Sequence, residues 1–281
     1  MVKFYQFFVW FFLSFLLLSA PQASFGQALK KVVVVSQNPV FKEAYSVLSA
    51  DKTKKQGPYQ KYIGKKNQLL TSGHYTNGQK DSTWTEYYAD GETIRERGTY
   101  YQDQKVGMWE FYTPEGTLEQ NYDYTYQQVL FSRPPAHDRR VFKLWSEEDD
   151  CRDTLQLEKK PMYIGGLEAM QRVVRQNLHY PPQAQKSRIG GTAWIAFLID
   201  SEGKTSNYKI VKKLGGGCDA EALRVVKLIP STWVPGRLEG RAVTVVCEMP
   251  VVFTAPAAPA APQRAPQKGS KRRYSSRLSA R

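Results

Sequence analysis

Cysteine and histidine are scarce: three of each in 281 residues. His74, His137 and His179 are scattered, and the chain has neither H-E-x-x-H nor C-x-x-C. That excludes the common zinc and dithiol motifs. G-x-S-x-G and the phosphate-binding P-loop are absent too. Gly215-Gly216-Gly217 stands before a helical stretch, where an anion could sit, but nothing else of a phosphate motif accompanies it. The expectation is a non-enzymatic protein without metal or cofactor. Acid is short relative to base, 26 against 40, for a net charge of +14. Half of that excess lies after Thr254, on Arg264, Lys268, Lys271, Arg272, Arg273, Arg277 and Arg281, with no acid among them. Such a tail can contact a membrane or a cell-wall polymer. Its plainer reading is a solvated, disordered segment, since APAAPAAPQRAP has no core to bury.

Long apolar runs are missing except at the N-terminus. There Lys3 precedes Phe4 to Ala20, and Ser24 and Gly26 supply small residues at a cleavage position. Residues 1–26 therefore read as a secretory signal peptide. The alternative is a retained anchor, for which the run is a little short of the usual ~20 residues. Either way the chain is expected outside the cytoplasm, which argues against nucleic acid as a partner. Export also makes disulfides permissible for Cys151, Cys218 and Cys247.

Aromatics and glycine, by contrast, are plentiful between residues 55 and 126, and they repeat. Gly73, Tyr75, Gln79, Lys80, Trp84, Tyr87 and Gly91 recur 25 positions later as Gly98, Tyr100, Gln104, Lys105, Trp109, Tyr112 and Gly116. Lys55, Gly57, Tyr59 and Tyr62 extend the register backwards. Asn77-Gly78 and Asp90-Gly91 are hairpin-turn pairs. One unit is a β-hairpin that cannot bury its aromatics alone, so stacked units predict an antiparallel sheet with Trp84 and Trp109 as packing residues. The G-x-Y … G-x-W-x-x-Y … D-G pattern resembles MORN-type repeats of bacterial secreted proteins, which implies a scaffold and no catalysis.

Residues 127–160 read as a linker. It holds Pro134-Pro135, the acidic cluster Glu147 to Asp150, and Cys151; VFKLW at residues 141–145 has some strand character. From 161 to 254 the pattern is α+β. Leu167, Met170, Val174 and Leu178 make a helical stripe, stopped by Pro181-Pro182. Thr192 to Ile199 and Thr205 to Val211 are hairpin strands around Asp200 to Gly203. Asp219 is a candidate N-cap for a helix carrying Ala222, Val225, Val226 and Ile229. A last strand runs from Ala242 to Phe253, with Val243, Val245, Cys247, Met249 and Val251 on one face. The expected architecture is helices packed on one face of a three-stranded antiparallel sheet. A Cys218–Cys247 disulfide would tie the second helix to the last strand; two free buried thiols are the alternative.

This second region resembles the C-terminal domain of TonB-type energy transducers. The resemblance is carried by Tyr180-Pro181 with Ala184, Ile189-Gly190-Gly191, Asp200 and Gly203, and Asp219-Ala220-Glu221-Ala222. Pro230, Trp233-x-Pro235-Gly236, Gly240 and Pro250-Val251-Val252-Phe253 complete it. It implies a periplasmic or envelope protein of a Gram-negative bacterium, linked to TonB-dependent transmembrane transport. Its partner would be an outer-membrane transporter, one extended segment of which adds to a sheet edge. The implied contacts are Val243, Val245, Cys247, Met249 and Val251 on the last strand, with Tyr180 and Pro181 at the turn. A force transducer also needs an anchor and a stiff spacer, whereas here repeats occupy the spacer position. The alternative function is a non-transducing envelope scaffold whose repeats contact protein or envelope polymer.

Overall fold

The computed structural model describes residues 28–135, 138–145 and 157–255. The expected signal peptide, Cys151, the acidic cluster and nearly all of the basic tail lie outside the described residues. Among the described residues no helix is long and apolar enough to cross a membrane. The described chain divides into two compact units, one of residues 28–135 with Met162–Met170, the other of residues 138–145, 157–161 and 171–255.

The first unit is a nine-stranded antiparallel sheet whose strands follow chain order. They are β1 (Leu29–Gln37), β2 (Val40–Leu48), β3 (Gly57–Ile63), β4 (Gln68–Thr76), β5 (Gln79–Tyr87), β6 (Ile94–Tyr101), β7 (Gln104–Tyr112), β8 (Leu118–Asp123) and β9 (Gln128–Ser132). The repeat becomes a sheet for local reasons. Asn77 and Gly78 both adopt positive φ, 53° and 88°, which gives the tight β4–β5 turn. Asp90 accepts the backbone N–H groups of Glu92 and Thr93 at 2.9 and 3.0 Å, closing the β5–β6 loop. The sheet is wider than the expected repeat region of residues 55–126. It adds β1 and β2 before it and β9 after it, within the stretch expected as linker. Those strands lack the Gly/Trp signature because they flank the repeated aromatic stack.

That stack runs across the sheet. Tyr59 meets Trp84 at 5.5 Å between ring centroids, Trp84 meets Tyr100 at 5.9 Å, Tyr100 meets Trp109 at 5.1 Å, and Trp109 meets Tyr124 at 6.0 Å. Trp84 and Trp109 are each 2% exposed. Their indole N–H groups donate to the carbonyls of His74 and Thr99, both at 3.1 Å, one repeat apart. Lys55, Lys80 and Lys105 cover the rings, with ammonium-to-centroid distances of 4.5 Å to Tyr45, 4.4 Å to Trp84 and 3.8 Å to Trp109. Met162–Met170 belongs to this unit, and Glu119 holds it there by accepting the N–H of Leu167 at 2.7 Å.

The second unit is built on a four-stranded antiparallel sheet with the order β10-β17-β12-β13. Here β10 is Val141–Leu144, β12 is Gly191–Ile199, β13 is Thr205–Lys212 and β17 is Val245–Phe253. Among its described residues are α2 (Pro182–Lys186), α3 (Cys218–Val226) and the latter part of α1 (Gly166–Asn177), together with short strands β14 (Trp233–Val234), β15 (Gly236–Leu238) and β16 (Arg241–Val243); β11 (Met162–Tyr163) and the start of α1 lie in the first unit. Ala193, Ile195, Phe197 and Ile199 of β12 share a buried face with Val245, Cys247, Met249, Val251 and Phe253 of β17, and Ala222, Val225 and Val226 of α3 are buried as well.

Three expectations are corrected here. The sheet has four strands, because Val141–Leu144 of the expected linker pairs along β17. The last strand does not begin at Ala242: Glu239 and Gly240 take positive φ, so Arg241–Val243 folds back on Gly236–Leu238. The alternation of valines runs through Thr244 unbroken, which hides that break. Asp219 does not cap α3 from outside. Gly217 holds the N-cap position with φ 86°, and Asp219 reaches back to accept the N–H groups of Leu214 and Gly215 at 2.5 and 3.0 Å.

Candidate partner-binding edge

A sheet accepts an extended peptide only where backbone N–H and C=O groups face open space. In the second unit β13 offers one such edge. The other side of the sheet ends on β10, which is only four residues long. Its register, Val141 opposite Glu248 through Leu144 opposite Val245, covers the first half of β17. Among the described residues, no strand pairs with Met249–Phe253 on that side.

The direction of the backbone groups follows from one bond. Trp145 N–H donates to Thr244 O at 3.2 Å, one step beyond Leu144 in the same register. Backbone groups on one side of a strand recur every second residue. Even-numbered residues of β17 therefore turn toward β10, and odd-numbered ones toward β12. Pro250 and Val252 turn to the open side. Pro250 lacks an N–H, and on that side it removes no bond to β12, which is where a strand proline is tolerated. The Pro250 carbonyl and both backbone groups of Val252 are what the open edge presents. The Val252 side chain is 49% exposed.

The two edges differ in charge. β13 carries Lys209 and Lys212, and lysines along an edge oppose pairing with another chain. The open half of β17, Met-Pro-Val-Val-Phe, carries no charge.

The residues singled out from the sequence fall into different places. Val243 lies on β16, outside β17. Val245, Cys247, Met249 and Val251 are buried, with exposures of at most 4%, so their side chains face the core and leave only backbone for a partner. The edge expected over the whole last strand is reduced to Met249–Phe253. Tyr180 donates its hydroxyl to Ile189 O at 2.6 Å and sets its ring edge-on to Phe253, 5.9 Å between centroids. It thereby supports the end of β17. Pro181 precedes α2 as its N-cap. Sequence reasoning missed Val252 because it sits on the face opposite the buried pattern, and the signal that points to it is the proline two residues before.

Cys218 and Cys247, the expected disulfide partners, are both buried and stand as free thiols in the structure. Burial pushes the Cys247 thiol up to about 12. Burial, and then the charge of Asp219, raises Cys218 as well. Neither is a poised nucleophile at neutral pH. Among the described residues no three His, Cys, Asp or Glu side chains are placed to hold a metal.

Residues 176–255 match the family model described as the Gram-negative bacterial TonB protein C-terminal. A solution NMR structure of the Helicobacter pylori TonB C-terminal domain is similar over 32% of this chain and 79% of that one, at 21% identity and a TM-score of 0.25. No curated protein matches. The segment that matches the TonB C-terminal family is thus the one that contains β12, β13, α3 and the open half of β17.

Proposed function

We propose that this protein is a non-catalytic component of a Gram-negative envelope that binds an extended segment of an outer-membrane transporter, or of another envelope protein, by adding it to β17 at Met249–Phe253. The observation that carries the reading is the uncharged open edge at Pro250 and Val252, inside the segment that matches the TonB C-terminal family. Backbone pairing would supply the affinity, and Val252, with its exposed side chain, would supply a contact on one face. The repeat sheet, with its MORN-like pattern, serves as scaffold in this reading. Its aromatic rings are spent on each other and on the lysines above them.

The test is photo-crosslinking from position 252 in intact cells, with position 211 on the β13 edge as comparison. Adducts to an outer-membrane protein from 252 and not from 211 support the proposal. Equal labelling from both positions, or none from 252, rejects it.

A further inference from the structure

Among the described residues the nine-stranded sheet ends at β1, with no strand paired to its outer side and neither a bulge nor a proline along it. β1 is nine residues long. Its charges, Lys30 and Lys31, sit at one end. Its centre is Val32-Val33-Val34-Val35, with Val33 59% and Val35 61% exposed. A long, regular edge with an apolar centre is a pairing surface.

The outward groups can be assigned. Ser49 N–H donates to Ala28 O at 2.8 Å, in register with Leu29 opposite Leu48. Even-numbered residues of β1 therefore bond to β2. The N–H and C=O groups of Leu29, Lys31, Val33, Val35 and Gln37 point outward.

We infer that β1 pairs antiparallel with β1 of a second copy of this chain, about a two-fold axis at Val33. A two-fold axis that joins two like edges side by side is normal to the sheet and sets opposite each other residues of the same face. The register centred on Val33 meets that condition and uses the whole strand. It sets Leu29 against the second copy's Gln37, Lys31 against Val35, and Val33 against Val33. That forms up to about ten backbone hydrogen bonds, two for each such pair. Charge selects the same arrangement. Lys30 falls opposite Ser36 and Lys31 opposite Val35, so like charges lie at opposite ends, whereas parallel pairing would set lysine against lysine. Val32 and Val34 of both copies close into one patch on the face that holds Tyr45, the cross-strand neighbour of Val32.

The test uses the exported full-length chain. Sedimentation equilibrium should give two chains per particle. On a Cys151→Ser background, Val33→Cys should lock the pair on oxidation, since paired residues of this type lie about 5.5 Å apart at Cα, within disulfide reach. Lys31→Cys should not, because its own copy lies four residues further along, about 13 Å away. Val33→Pro removes an outward N–H and none of the β1–β2 bonds. It should weaken association about tenfold or more with an unchanged melting temperature of the monomer. A single-chain mass at ~100 μM, assemblies that grow beyond two chains, or oxidation of Lys31→Cys as efficient as that of Val33→Cys would each overturn the inference.

Discussion

Gly98 and Trp109 show how the repeat works at the level of single atoms. A Cβ at Gly98 would overlap the indole of Trp109, and a Cβ at Gly73 would overlap that of Trp84. Neither glycine has positive φ, so the requirement is room and not backbone freedom. Each repeat needs a residue without a side chain so that the tryptophan can lie flat and donate its N–H to a carbonyl of the neighbouring strand. Gly98→Ala should therefore destabilise the sheet by about 1–3 kcal/mol, the usual cost of overpacking. Chemical denaturation followed by tryptophan fluorescence measures it. Gly107, beside which a Cβ would meet nothing within 4 Å but whose φ is 58°, reports backbone strain without crowding.

Among the elements, α3 is fastened to the end of α1 and the chain just after it by Glu221 and by Arg224, which donates to Asn177 O at 2.6 Å. Glu221 accepts from Arg224 Nε and Nη2 at 2.8 and 2.7 Å and from the His179 backbone N–H at 2.6 Å. The Arg224 hydrogen bonds, against the opposing effect of burial, hold the Glu221 carboxyl below the ordinary glutamate value of 4.5. A lowered carboxyl stabilises the fold above its unfolded value, and that stability disappears as pH falls through the folded value. Glu221→Gln should thus cost about 1 kcal/mol at pH 7. The gap to the parent protein should close as pH drops below 4.5. Urea denaturation at the two pH values checks the sign. A second element, β10, decides how much of β17 is open. Odd-numbered residues of β10 bond to β17, so Lys143→Pro should detach it. Amide exchange at Val246 and Glu248 should then accelerate, while Val245, Cys247 and Met249, which bond to β12, stay protected. Hydrogen exchange read by NMR distinguishes the two sets.

These elements also show where sequence reading succeeds and where it stops. β12, β13 and α3 are legible because their apolar residues alternate or recur at helical spacing over eight or nine residues. The repeat sheet is legible because glycine and tryptophan recur 25 positions apart. β10 is only four residues, and although VFKLW has strand character, so short a run does not say which strand it pairs with. That omission made β17 look open along its whole length. The buried face of β17 is legible as a pattern from Val245 onward, but a pattern of buried side chains names the residues a partner cannot touch. Val252 and the Pro250 carbonyl became visible only once the direction of the backbone groups was known.

For the molecule as a whole, the proposals assign two different tasks to two sheets with different edges. The family match covers residues 176–255, and the β17 edge lies within it. The nine-stranded sheet would be a larger scaffold, with its β1 edge paired to a second copy. Pairing there would give each assembly two β17 edges, and two tethered sites raise the avidity for a partner present in many copies. Where the basic excess of the tail meets an anionic surface, the attraction would weaken with salt. If an extended segment adds to β17 beyond β10, the amide of Val252 reports on it directly. On addition of an extended peptide from an outer-membrane transporter, exchange of that amide with solvent should slow at least about tenfold, as a new ladder bond of ~1.4 kcal/mol requires. An unchanged Val252 amide in a peptide-bound protein, or protection that appears on β13 instead, would contradict the account.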